Sequence, residues 1–131
     1  KTNLLILILF FQTFHLASQT IDEKEKFMKM HQLSKKGIDG SPLLFGAVIV
    51  KDGNIVGTGY NTVRSSSDPT AHGEVNAMRD ASRNLGSASL EGCDLYSNAE
   101  PCPMCFGAAY WANIKNIYYG VSKEDLEMQN K

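Results

Sequence analysis

The chain opens on an unbroken apolar run, Leu4 to Phe11, which carries no polar face. Lys1 precedes it, and Gln12 to Ser18 follow with small residues at Ala17 and Ser18. A bilayer span needs about 20 apolar residues, so the run is too short to be one. One positive charge, a short apolar stretch and small residues after it predict a secretory signal peptide over 1–19, and with it export to a secreted or periplasmic site. The plainer alternative is a buried N-terminal helix or strand in a cytoplasmic protein.

Beyond residue 20 the pattern changes period. Residues 22 to 36 are charged, with Phe27, Met30 and Leu33 three apart, which predicts a surface helix docked by that stripe. Gly37, Gly40, Ser41 and Pro42 break it. Leu43 to Lys51 reads as a strand, Asp52-Gly53 as a hairpin turn and Asn54 to Tyr60 as the returning strand. Asn61 to Asp68 is polar and reads as a loop. Asp68-Pro69 then signals a helix start. That helix carries Val75, Met78 and Ala81 on one face and ends near Gly86. A strand over Cys93 to Ser97, a helix over Cys102 to Ala112 opened by Pro101, and a strand over Ile114 to Val121 complete the pattern, with a charged tail that favours a helix. After the hairpin the order is helix, strand, helix, strand, so the fold class is α/β, a mixed sheet covered by helices.

Composition narrows the class. The chain has 131 residues, 43% hydrophobic and 21% charged, which suits one globular domain and excludes disordered or fibrous classes. Thirteen basic against fourteen acidic residues give a net charge of −1, so no domain-wide basic field for nucleic acid exists. Three cysteines are too few for a disulfide scaffold.

Two short segments carry chemistry. His72-Gly73-Glu74 opens one predicted helix, and Pro101-Cys102-Pro103-Met104-Cys105 opens the next. His72, Cys102 and Cys105 supply one imidazole and two thiolates, the donors zinc prefers, and three protein ligands leave a fourth position open as in catalytic sites. Glu74 stands two residues from a ligand already in a sufficient set. A free carboxylate there can take a proton from water and deliver it to a leaving group. Two other readings stay open on the residues alone. The C-x-x-C pair can be a redox couple or, after export, a disulfide. Alternatively Cys93 can complete a structural Cys₃His zinc site, although in its strand it reads better as a small buried hydrophobe. His15 and His31 have no matching partners.

H-x-E combined with P-C-x-x-C is the pattern of zinc-dependent nucleobase deaminases. At these residues the chain resembles the cytidine and deoxycytidylate deaminase superfamily, within it the guanine deaminase branch, with the tRNA adenosine deaminases next. The stretches that carry the resemblance are FGAVIVKDG from Phe45, DPTAHGEVNA from Asp68 and EPCPMCFGAAYWA from Glu100; Pro103 and Tyr110-Trp111 lean towards guanine deaminase. The resemblance implies a cytidine deaminase-like three-layer α/β/α fold over residues 20–131, with Zn²⁺ held at two helix N-termini by His72, Cys102 and Cys105 and Glu74 as proton shuttle. It implies that Asn61 binds substrate and that Phe45, Gly46 and Ala47 line the base pocket, with the backbone near Ala71 and Ser97 to Glu100 contributing. The implied activity is hydrolysis of a purine base, guanine to xanthine plus ammonia, by a homodimer with no nucleic-acid partner and no membrane association once the signal is removed. The alternatives are a tRNA adenosine or other nucleoside deaminase and a catalytically silent zinc-binding domain.

The sequence departs from that pattern in three places. Leu43 and Leu44 separate Pro42 from Phe45, and Gly73 stands where Ala is common. The resemblance also implies a further C-terminal segment that closes the pocket. With Lys131 last, the domain is expected to lack that lid, and Asp125 is the only nearby acidic candidate for its substrate-reading residue.

Overall fold

A computed structural model describes residues 45–128 together with Glu25. The expected signal segment 1–19, the Phe27/Met30/Leu33 stripe and Leu43-Leu44 lie outside the described residues. Among those described, no helix is long and apolar enough to cross a membrane.

The apolar run after Phe45 forms strand β1 (Gly46–Lys51), and β2 (Asn54–Tyr60) returns antiparallel to it. Asp52 and Gly53 both have positive φ, 49° and 80°, the conformation a tight two-residue hairpin demands. A short helix α1 (Val63–Ser66) and a longer α2 (Gly73–Leu85) follow. Strand β3 (Cys93–Ala99), helix α3 (Pro103–Trp111), strand β4 (Asn116–Val121) and helix α4 (Lys123–Met128) close the order. The sheet order is β2-β1-β3-β4. β1 and β3 are antiparallel, whereas β3 and β4 are parallel with α3 as their crossover, so the sheet is mixed as the element pattern predicts.

Two positions differ from the sequence reading. The segment expected to be a loop contains α1, and the helix start expected at Asp68-Pro69 lies at His72 instead. Asp68 caps a turn rather than a helix. Its Oδ1 accepts from the Thr70 N–H (2.8 Å) and hydroxyl (2.6 Å), and its carbonyl accepts from Ala71 N–H at 3.1 Å. These Thr70 bonds hold the Asp68 carboxyl below the usual carboxylate range. At the other end the expected stop is found, with Gly86 in the left-handed conformation at φ 64°.

Alternation along β1 divides the core. Ala47 and Ile49 face α2 and α3, where they pack with Ala77, Met78, Ala81, Leu95 and Ala109. Val48, Val50 and Tyr96 form a second buried cluster on the opposite face, and Tyr96 stacks on Tyr118 with ring centroids 4.7 Å apart. The buried stripe of α2 is Gly73, Glu74, Ala77, Met78 and Ala81, with Val75 only at its margin. Small residues sit there because α2 lies almost directly on β2. A Cβ at Gly57 would fall 2.6 Å from Ala81 Cβ and N, and one at Gly59 would overlap the α2 main chain at Ala77 and Gly73.

The same closeness lets α2 hydrogen-bond to the outer margin of β2. Asn76, Asp80 and Asn84 are spaced one helical turn apart. Asn76 Nδ2 donates to Tyr60 O, Thr58 N–H donates to Asp80 Oδ2 and Asn84 Nδ2 donates to Val56 O, each at 2.9 Å. Asn76 Nδ2 also reaches Thr62 Oγ1 (2.9 Å) and Ala71 O (3.2 Å), which ties the end of β2 to the turn that leads into His72.

Candidate active site

His72 and Cys102 occupy equivalent positions, each the N-cap of its helix with extended backbone (φ −69°, ψ 159° and φ −66°, ψ 166°). Neither side chain caps its own helix, so both are free to turn towards each other. Pro103 at the first position of α3 fits because a helix leaves that N–H unpaired anyway. Cys105, one turn into α3, is fully buried.

These elements bring three donor atoms into a triangle. Cys102 Sγ and Cys105 Sγ are 3.6 Å apart, and His72 Nδ1 lies 3.7 Å from the first and 3.6 Å from the second. Around a tetrahedral zinc with ordinary bond lengths, two sulfurs lie about 3.8 Å apart and a sulfur and a nitrogen about 3.6 Å. The triangle therefore fits that ion, and these three residues form a possible metal group among the described residues. Burial, followed by the Glu74 carboxylate and the Cys102 thiol, pushes the Cys105 thiol up from its ordinary value. A divalent cation bound there would offset two thiols and a carboxylate packed this closely, and two converging helix N-termini favour negative charge at the same place.

Glu74, at the second position of α2, is 6% exposed. Its Oε1 lies 3.4 Å from the hydroxyl of Ser97 on β3. Cys93 is elsewhere. It begins β3 whereas Cys102 follows its end, a separation of roughly 20 Å at strand rise, and it packs in the apolar core. Burial raises its thiol too.

The other expected site residues are distributed around the start of α2. Asn61 N–H donates to Phe45 O (3.1 Å) and Thr62 N–H to Ala71 O (2.9 Å), which gathers Phe45, Asn61 and Ala71 beside His72. Asn61 Oδ1 accepts from Val63 N–H at 3.0 Å, so its amide leaves the NH₂ end as the donor it can offer. Gly73 lets the chain pass close, since a Cβ there would stand 3.2 Å from Phe45 O and 3.3 Å from Gly46 Cα. Ala71 uses both main-chain groups internally: its N–H goes to Asp68 O, and its carbonyl receives Thr62 and Asn76. Only its methyl remains for the site. Ala47, expected to line the pocket, instead points its methyl into the core between sheet and helices, because strand alternation gives that face to α2. Asp125 pairs locally with Ser122, and Glu100 caps the start of α4 through Lys123 N–H at 2.8 Å.

Sequence reasoning missed two side chains. Asn98 Oδ1 accepts from Gly46 N–H (3.0 Å) and fixes the start of β1. Ser97 faces Glu74. The available signal was alternation along β3, where a hydroxyl interrupts the buried series Leu95 to Ala99.

Residues 21–121 match the family described as the cytidine and deoxycytidylate deaminase zinc-binding region. A guanine deaminase of Bacillus subtilis is 54% identical over 81 residues, covering 62% of this chain and 52% of that protein. A tRNA-specific adenosine deaminase of Aquifex aeolicus is 38% identical over 97 residues, covering 73% of this chain and 64% of that protein. The chain thus spans between half and two thirds of the length of these relatives. The X-ray structure of guanine deaminase from Bacillus subtilis superposes with a TM-score of 0.74 at 44% identity, covering 81% of this chain and 68% of that one. The fold is the cytidine deaminase-like one.

Proposed function

The chain belongs to the cytidine and deoxycytidylate deaminase zinc-binding family, and on that premise we propose that it hydrolyses the amino group of a purine base, converting guanine to xanthine with release of ammonia. The observation that carries this reading is the His72–Cys102–Cys105 triangle with a buried, acceptor-only carboxylate beside it. His72 through Nδ1, and Cys102 and Cys105 through Sγ, would hold Zn²⁺. When bound, the ion supplies a Lewis acid that makes water nucleophilic near neutral pH.

The chain's own residues supply the rest. Glu74 accepts a proton as the water oxygen bonds to the amine-bearing ring carbon. It returns that proton to the amino nitrogen as the C–N bond breaks, and the second water proton ends on the adjacent ring nitrogen, so base–NH₂ and water become the oxo base with a ring N–H, and NH₃. The NH₂ end of Asn61, whose Oδ1 is engaged by Val63 N–H, would donate to an acceptor on the base edge, and Phe45 would offer an apolar wall. Guanine is favoured over a tRNA adenosine by the higher identity to a guanine deaminase and by a net charge of −1, which gives no field for a phosphate backbone.

Ammonia release from guanine, adenosine, cytidine and a tRNA anticodon stem-loop, each offered to the zinc-loaded protein, tests the substrate. Guanine is expected to be the turned-over substrate; turnover confined to the stem-loop would replace it with the tRNA reading. Zinc-bound protein that releases ammonia from none of them would make this a silent zinc domain.

The ligand assignment has its own test. Cys105→Ser is expected to lower zinc content measured by elemental analysis, whereas Cys93→Ser keeps one zinc per chain and loses about 1–2 kcal/mol of stability for a buried polar swap. Zinc loss in the Cys93 variant would restore the structural Cys₃His reading.

A further inference from the structure

We propose that Ser97 is a positioning residue for Glu74. Its hydroxyl donates to Oε1 and fixes the direction in which the carboxyl group faces the His72, Cys102 and Cys105 cluster. The inference rests on the reading of Glu74 as the proton carrier.

Ser97 sits on β3, one of the two inner strands of the sheet. It pairs with Ala47 of β1 on one side and Tyr119 of β4 on the other, so its main chain is held by two ladders. Leu95 and Ala99 share its face and are apolar, which makes the hydroxyl the polar interruption of a buried row. Ser97 is 2% exposed, too buried for its hydroxyl to be solvated. Among the described residues, that hydroxyl bonds to Glu74 Oε1 at 3.4 Å. The contact is long, as catalytic hydrogen bonds commonly are before a substrate tightens the site.

A hydroxyl suits this task better than an amide or a cation. A lysine would hold the carboxylate ionised and resist proton uptake. A serine donates to the carboxylate and can still donate to the carbonyl-type Oε1 once Oε2 is protonated. The partner therefore stays satisfied through both states of the cycle, and the carboxyl plane does not turn between them. A merely space-filling residue at this position would be alanine or valine, without the polar atom.

The test compares the full zinc-loaded chain with Ser97→Ala, Ser97→Thr and Ser97→Cys. The readouts are zinc content, melting temperature, kcat and KM for ammonia release, and the infrared carboxylate band of Glu74, assigned by subtracting the Glu74→Gln spectrum. Ser97→Ala is expected to keep zinc and to leave KM within about twofold while kcat falls about 10- to 100-fold, the loss of a hydrogen bond to a charged group. The Glu74 band shifts with it. Ser97→Thr restores both, and Ser97→Cys, equal in shape to serine but a weak donor, falls between. Unchanged kcat and band in Ser97→Ala overturn the proposal, as does a fall that Ser97→Thr, folded, fails to rescue. If the unaltered chain releases no ammonia, the functional reading fails by itself. The infrared band then decides the positioning role: a shift in Ser97→Ala upholds the contact and no shift removes it.

Discussion

Glu74→Gln is expected to lower kcat by about 10²–10⁴-fold, the contribution of a positioned acid–base group, while zinc content stays at one per chain. The amide has the shape of the carboxylate and its oxygen can still accept from Ser97, so packing around the start of α2 is preserved. It cannot take up the proton. The retained metal is a consequence of the local charges. Glu74 is one of the causes that push the Cys105 thiol up, so removing its charge eases thiolate formation. Steady-state ammonia release with parallel elemental analysis measures both halves. Turnover within tenfold of the unaltered protein would take Glu74 out of its role, and lost zinc would mean that the carboxylate holds the metal site together.

The largest effect on stability is expected at Gly59, far from any reacting group in sequence but beneath the helix that carries His72 and Glu74. Gly59→Ala places a methyl where the main chain of α2 already stands, at Ala77 and Gly73. Backbone cannot rotate aside as a side chain can, so the helix must lift off the strand. The expected cost is about 3 kcal/mol or more, read as a lower urea midpoint. Lifting α2 would also pull His72 from the two sulfurs, so zinc affinity should fall together with stability. Gly107→Ala is the control. Nothing lies within 4 Å of a Cβ there, and within a helix the change is expected to stabilise by about 0.5–1 kcal/mol. Equal behaviour of the two variants would refute the close-packing account.

The His72, Cys102 and Cys105 cluster was legible in the sequence because its parts are local. His72 and Glu74, and Cys102 and Cys105, each lie within one turn of a helix start, and Pro103 and Gly86 mark helix boundaries by backbone chemistry that needs no tertiary partner. The hairpin at Asp52-Gly53 is legible for the same reason. Ser97 was not, because its meaning depends on β3 lying beneath α2, a contact across 23 positions. Asp68-Pro69 was misread because an aspartate can cap a turn as readily as a helix, and Thr70 decides between them by occupying the carboxylate. Ala47 was placed at the pocket by likeness alone; it is buried on the α2 side of the sheet, paired with Ser97. The substrate side of the site is less legible still, since Asn61, Phe45 and Ala71 meet only through main-chain bonds between separate segments.

The side-chain bonds from α2 to the margin of β2 give the sheet a direction of growth. On that side Val56 O, Thr58 N–H and Tyr60 O are already engaged by Asn84, Asp80 and Asn76. An incoming strand would have to displace all three, so the margin is proofed against templated addition. The opposite margin differs: among the described residues no strand pairs with the far side of β4, and Tyr118 and Tyr119 are exposed there. Whatever extends this sheet joins it more readily at β4, leaving the floor beneath the helix that carries His72 and Glu74 undisturbed.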